Sequence, residues 1–315
     1  MILIYVLMLI AILIAVLLCA IYYVYREAFD SKSKGVKDPY DIPNGEQYQK
    51  NKEEMITLID TLVNREYEDV YVTSFDGLRL HGRYYHAKDG APINIGFHGY
   101  RATALRDFCV GANESLRRGH NLILIDERGQ GESQGKTITM GIKERYDALS
   151  WANYAVERFG NDVKIVLYGV SMGASTVIMS TALDLPKNVT GVIADCPYDS
   201  PKDILLDVCE KQHKIPKKLG YPLIFLAGKL FGKFDINATT CSDSVKKAKI
   251  PVVILHGEAD YYVPCEMSEG IEKSNSCLVS RYTFPDAGHG LSFFADKKRY
   301  RDIAESFFTE CTKSE

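Results

Sequence analysis

The chain has 315 residues, 46% hydrophobic and 25% charged, with a formal net charge of -3. That is enough apolar material for a sizeable core in one large or two small domains, and the near-neutral balance removes any whole-protein electrostatic case for nucleic acid. The 8 cysteines hold no C-x-x-C pair. Seven of them lie scattered beyond the N-terminus, and this odd set reads as free thiols of a reducing compartment rather than a disulfide framework.

The first predicted element is the uncharged run Ile2 to Val24, rich in Ile, Leu and Val. As a helix it would be roughly 34 Å long, enough for a hydrocarbon core of roughly 30 Å. It has no basic n-region and is too long for a signal-peptide h-region. The bulky Leu18 before Cys19 argues against a lipoprotein site. Residues 1–25 are therefore expected to be an uncleaved, single-pass transmembrane anchor. Arg26, Lys32, Lys34 and Lys37 come after the span and no basic side chain precedes it. The positive-inside rule then places the rest of the chain in the cytoplasm.

Residues 26–66 read as a linker, with Pro39, Pro43 and Gly45, followed by an amphipathic helix over Glu46 to Arg65. Its apolar face carries Met55, Ile56, Ile59, Leu62 and Val63, the pattern of a packing helix. Glu68–Ser74 and Leu78–His86 then read as a hairpin turning through Phe75-Asp76-Gly77. Six further strands are expected, at Ile93–Phe97, Leu122–Ile125, Val163–Tyr168, Gly191–Ala194, Val252–Leu255 and Arg281–Phe284. Helices are expected between them, around Leu105–Arg118, Ile142–Phe159, Ala174–Leu183, Glu266–Lys273 and Leu291–Thr312. Apolar strands alternating with helices predict an α/β fold, a mostly parallel central sheet covered on both faces with an antiparallel edge.

The rhythm breaks between Asp195 and Ile250, where helical sequence replaces strands. An insertion of this length is expected to be a helical lid over the site, at about residues 197–249. Its Lys211, Lys214, Lys217 and Lys218 read as a solvated helix face rather than as a contact for acidic substrate or lipid headgroups.

The candidate chemistry sits in Gly169-Val170-Ser171-Met172-Gly173, a G-x-S-x-G between a buried strand and a small-residue helix. A serine on so tight a turn projects its hydroxyl clear of the sheet. The pattern alone is weak, since the chain holds a second copy at Gly131-Glu132-Ser133-Gln134-Gly135. That copy lies in a polar run with no helix starting at its serine, and it reads as a loop. Two residues nearer the C-terminus favour Ser171. Asp260 comes just past the strand in PVVILHGEAD, and His289 lies between two glycines after the last strand. Ser, Asp and His in this order supply a nucleophile, a base and an acid that orients the base. His98 and His256 have the simpler task of bonding backbone at their own turns. Two N–H donors are expected to hold the oxyanion, one at Met172 and one at Tyr100 in the turn His98-Gly99-Tyr100-Arg101.

HGYR, DERGQGES, GVSMG, HGEADYYVP and AGHG in this order resemble the α/β-hydrolase superfamily. Within it they are most similar to bacterial serine hydrolases of the esterase and serine-aminopeptidase-like group. The resemblance covers about residues 67–315, and it implies Ser171 as nucleophile, Asp260 as acid, His289 as base, and Met172 and Tyr100 as oxyanion donors. It also implies that Asp126, Arg128, Gly129, Gly131 and Ser133 are structural. The expected activity is cofactor-independent, metal-free hydrolysis of a small-molecule or lipid-like carboxylic ester through an acyl-serine. A thioesterase, an acylglycerol lipase or a peptidase would use the same triad. A non-catalytic ligand-binding relative is the reading from another class.

Overall fold

The structure is a computed structural model that describes residues 1–31 and 38–313; Lys32, Lys34 and Lys37 of the expected basic flank lie outside them. Among the described residues the chain opens with helix α1 (Ile2–Ala28) and helix α2 (Glu46–Val63). The hairpin β1 (Glu68–Thr73) and β2 (Arg79–Tyr85) is next, then β3 (Ile93–Phe97), α3 (Ala104–Asp107), α4 (Cys109–Arg117), β4 (Asn121–Ile125) and α5 (Glu144–Phe159). After these come β5 (Ile165–Val170), α6 (Met172–Ser180) and β6 (Val189–Asp195). Three α-helices, α7 (Pro201–His213), α8 (Lys217–Ala227) and α9 (Cys241–Val245), with a π-helical turn over Gly228–Gly232, fill the described stretch before β7 (Val252–Gly257). The chain closes with α10 (Glu266–Ser274), β8 (Val279–Phe284), α11 (Ser292–Ala295) and α12 (Lys297–Thr312).

The strands form one 8-stranded sheet in the order β1-β2-β4-β3-β5-β6-β7-β8. β2 runs antiparallel to both neighbours and the other pairs are parallel. β3, β4, β5 and β7 are buried along their whole length, which is why their sequences are continuous apolar runs rather than alternating ones. The chain leaves β3 towards β4 on one side and returns to β5 on the other. Loops leaving the carboxyl ends of strands on either side of such a reversal point apart and leave a crevice. The turn after β3 and the turn after β5 flank that crevice, and they carry Tyr100 and Ser171.

Two predicted helices are broken. Phe108 separates α3 from α4 with φ -100° and ψ 13°, and its ring packs edge-on against Tyr168 at 5.1 Å. Asp296 separates α11 from α12, and its carboxylate caps α12 by accepting from the Arg299 N–H at 2.9 Å. Both are local stops that an apolar period does not reveal.

The expected linker starts later than the sequence indicated. Phe29 is fully buried and stacks edge-on against Phe234 with ring centroids 5.0 Å apart. The Ser31 N–H donates to the Lys136 carbonyl and the Ile138 N–H to the Phe29 carbonyl, both at 2.8 Å, so a one-residue β-bridge joins Asp30 to Thr137. Residues 26–31, expected as linker, are thus docked on the domain. α1 divides accordingly: Ile2 to Ala20 is exposed throughout, and Ile21 is the first buried residue.

Candidate active site

Ser171 sits between β5 and α6 at φ 56° and ψ -115°, backbone that a non-glycine residue adopts only when its surroundings impose it. The surroundings are Gly169 and Gly173. A Cβ on Gly173 would overlap the Phe97 carbonyl, and one on Gly169 would overlap the Gly173 carbonyl. Only bare backbone lets α6 come so close to β3 and β5. The Ser171 N–H donates to the Asp195 carbonyl at 2.8 Å, which ties the turn to β6.

Asp260 lies just after β7 and is buried. Its Oδ1 accepts from the Tyr262 and Val263 N–H groups at 2.9 and 2.8 Å. Its Oδ2 bonds His289 Nδ1 at 2.7 Å, and His256 Nε2 lies 3.4 Å from the same oxygen. Burial works against the carboxylate. The His289 charge and the bonds from His256, His289 and Val263 outweigh it and hold the group well below the usual carboxylate range. His289 is affected in the opposite direction. Burial lowers it, but the Asp260 charge and hydrogen bond win and raise it above its ordinary value. With Nδ1–H donated to Asp260, Nε2 keeps the lone pair.

Nε2 has the Cys196 sulfur 3.9 Å away. Among the described residues no hydrogen bond joins it to Ser171 Oγ. Serine–histidine bonds of this kind tighten when substrate is bound. Ser171 and His289 line one cavity of about 630 Å³, together with Met172 and Tyr100. Neither the Met172 N–H nor the Tyr100 N–H donates to a backbone carbonyl among the described residues, so both are available to a ligand. The Gly99 N–H donates to Asp107 at 2.8 Å, which fixes the turn carrying Tyr100.

The remaining sequence candidates take structural positions. His98 bonds the Gly99 carbonyl through Nδ1 at 2.8 Å and accepts from the Glu127 N–H at 3.1 Å. His256 bonds Ser268 and the Val263 carbonyl at 2.9 and 3.1 Å. Ser133, in the second G-x-S-x-G, donates to the Asp126 carbonyl at 2.6 Å and accepts from the His81 N–H at 2.8 Å. Arg128 is buried between Asp147 and Asp76. The DERGQGES loop is therefore held by internal bonds away from the cavity.

Several contacts and groups at the site gave no usable sequence signal. Tyr48 on α2 donates its hydroxyl to the His289 carbonyl at 2.7 Å. Tyr100 donates its hydroxyl to the Ala28 carbonyl of α1 at 3.1 Å. Asp195, fully desolvated at the end of β6, has its carboxyl pushed up to about 7, and Ser292 Oγ lies 3.4 Å from it. Cys196, Asp260 and His289 offer a thiol, a carboxylate and an imidazole within 4.8 Å of one another, the one grouping among the described residues close enough to hold a metal ion. Asp260 Oδ2 is already bonded to His289 Nδ1, so that carboxylate serves the imidazole.

Residues 93–223 match the profile of the family described as serine aminopeptidase, S33. Among curated proteins the chain is 24% identical to Bacillus subtilis (strain 168) YqkD over 202 residues, 63% of this chain and 65% of that one. It is 26% identical to Salmonella typhi YfhR over 250 residues, 77% of this chain and 81% of that one. Against the Aspergillus aculeatus thiohydrolase aneE it is 28% identical over 139 residues, 42% of each chain. Among solved structures, the Pyrococcus furiosus esterase Pf2001 superposes with a TM-score of 0.64 at 21% identity, covering 80% of this chain and 94% of that one. Est1E from Butyrivibrio proteoclasticus, solved with ferulic acid, gives 0.59 at 20% identity, covering 77% and 98%. The sheet order, the serine turn at its reversal point and the likeness to these solved structures together show that the chain has the α/β-hydrolase fold.

Proposed function

We propose that this protein is a membrane-anchored serine hydrolase that cleaves carboxylic esters through an acyl-serine intermediate. The observation that carries the reading is the 2.7 Å Asp260–His289 bond, held on the cavity that the strained Ser171 turn also lines. His289 Nε2 takes the Ser171 proton as Oγ attacks the ester carbon. The tetrahedral oxyanion is held by the Met172 and Tyr100 N–H groups, each worth roughly 3–4 kcal/mol of barrier lowering. Collapse expels the alcohol, which leaves with the proton from His289. Water, activated by the same imidazole, then releases the acid. Asp260 keeps the imidazole in the required tautomer and stabilises its cation.

The same steps cleave a thioester, and the likeness to a thiohydrolase keeps that leaving group as the second reading. In domain terms we assign residues 1–25 to the anchor, 26–66 to a connection and packing helix, and 67–315 to the hydrolase, with the helices of about 197–249 as its lid. α1 is long and apolar enough to cross a membrane, and Arg26 with the lysines after it favours a cytoplasmic catalytic domain.

A fluorophosphonate probe is expected to label the wild-type chain, and Ser171→Ala is expected to lose both the label and p-nitrophenyl ester turnover, by on the order of 10⁴-fold or more. Labelling that persists in Ser171→Ala would remove the nucleophile. Because Asp260 raises His289 and the base must be neutral, kcat/KM is expected to fall as pH drops through a midpoint above 6.5. Asp260→Asn is expected to move that midpoint down and to lower kcat by about 10⁴-fold. In intact cells, added protease is expected to leave the catalytic domain uncut; its degradation would reverse the orientation.

A further inference from the structure

The exposed part of α1 ends where the domain begins. Ile2 to Ala20 is about 28 Å of helix at 1.5 Å per residue, close to the thickness of a hydrocarbon core. The next two turns are docked, so they stand at the bilayer surface, where Tyr22 and Tyr23 match the aromatic belt of such helices. Whatever packs against those turns stands at the same level. That neighbour is α8 with the π-helical turn Gly228–Gly232 after it. Phe231 of that turn lies 5.1 Å from the Tyr22 ring and 5.9 Å from the Tyr25 ring.

The outer surface here is unlike that of a solvated helix. Leu219 is 64% exposed and Leu230 51%, with Ile215 and Tyr221 exposed beside them. Between residues 211 and 233 there are six lysines and no Asp or Glu, in a chain whose net charge is -3. Lys211 and Lys217 are paired with Asp207, and Lys229 with Asp235. Lys214, Lys218 and Lys233 are exposed without a carboxylate partner among the described residues. Exposed apolar side chains among unneutralised lysines match the headgroup layer of an anionic bilayer. The inner faces of the same two elements form one wall of the catalytic cavity: Tyr23, Val24, Glu27 and Ala28 from α1, and Leu223 and Ile224 from α8.

We propose that α8 and the turn after it rest in the headgroup layer of an anionic membrane, and that the seam between α1 and α8 admits a membrane-resident acyl ester from the bilayer to Ser171. The acyl chain passes from lipid into an apolar wall without crossing water, which avoids rehydrating its methylenes. Tyr100 is part of the same arrangement. Its hydroxyl bonds α1 at Ala28, and its backbone belongs to the oxyanion turn. The docking geometry stands independently of the chemistry; the substrate class rests on the hydrolase reading.

The test uses the full chain reconstituted in vesicles of phosphatidylcholine and phosphatidylglycerol. Its single tryptophan, Trp151, is fully buried in the core. Leu219→Trp is expected to gain an emission component quenched at least twofold by brominated acyl chains, with the unsubstituted chain barely affected. An unquenched Trp at 219 would overturn the docking. p-Nitrophenyl palmitate dissolved in the vesicles and p-nitrophenyl acetate in the water share one leaving group. The double variant Leu219→Glu, Leu230→Glu is expected to lower the palmitate-to-acetate rate ratio at least 10-fold. An unchanged ratio would overturn passage through the seam. If the unsubstituted chain turns over acetate no faster than Ser171→Ala, the hydrolase reading and the substrate class fall together, while the quenching still decides the docking.

Discussion

The close approach of α6 to β3 and β5 is the constraint on which the site depends. Ser171 holds a backbone conformation that costs about 1–3 kcal/mol, and nothing local repays it. The compensation is tertiary. Ser171 N–H bonds the Asp195 carbonyl on β6, and Gly173 lies flat against the Phe97 carbonyl at the end of β3. Three adjacent parallel strands must therefore be in register before the serine can occupy its position. The same register brings the turn after β3 beside the turn after β5, so the positions proposed for nucleophile and oxyanion donors are set by a single packing event. Rigid sheet elements position such groups more closely than loops alone do.

The histidine arm is built differently. His289 lies on a loop, and its position comes from bonds to both ends of the residue. Asp260 fixes the ring through Nδ1, and Tyr48 fixes the backbone through the carbonyl. α2 thus takes part in shaping the site even though it precedes the sheet. The Gln47 side chain of this helix lies against Gly288. The N-terminal region contacts the two sides of the crevice separately, α1 through Tyr100 and α2 through the His289 loop.

Much of this was legible in the sequence because it is local. The strands are continuous apolar runs, and the G-x-S-x-G at Gly169 differs from the copy at Gly131 in having a strand before it and a helix after it. The order Ser171, Asp260, His289 reflects which strand each residue ends. What the sequence did not reveal is carried by contacts between distant segments. Tyr48 and His289 are 241 positions apart, and no periodicity in α2 marks one tyrosine as a donor. Phe29 looked like part of a linker because a single apolar residue among charges has no period, yet it fills a slot against Phe234.

An acyl-serine at Ser171 is the central claim, and direct detection of that intermediate tests it most closely. The full chain in detergent would be mixed with a slowly deacylated ester, quenched in acid during turnover, and measured by intact-mass and peptide mass spectrometry. A mass increase equal to the acyl group, carried by the peptide containing Ser171 and absent in Ser171→Ala, is the predicted result. Turnover with no acylated chain, or acylation at another residue that persists in Ser171→Ala, would contradict it.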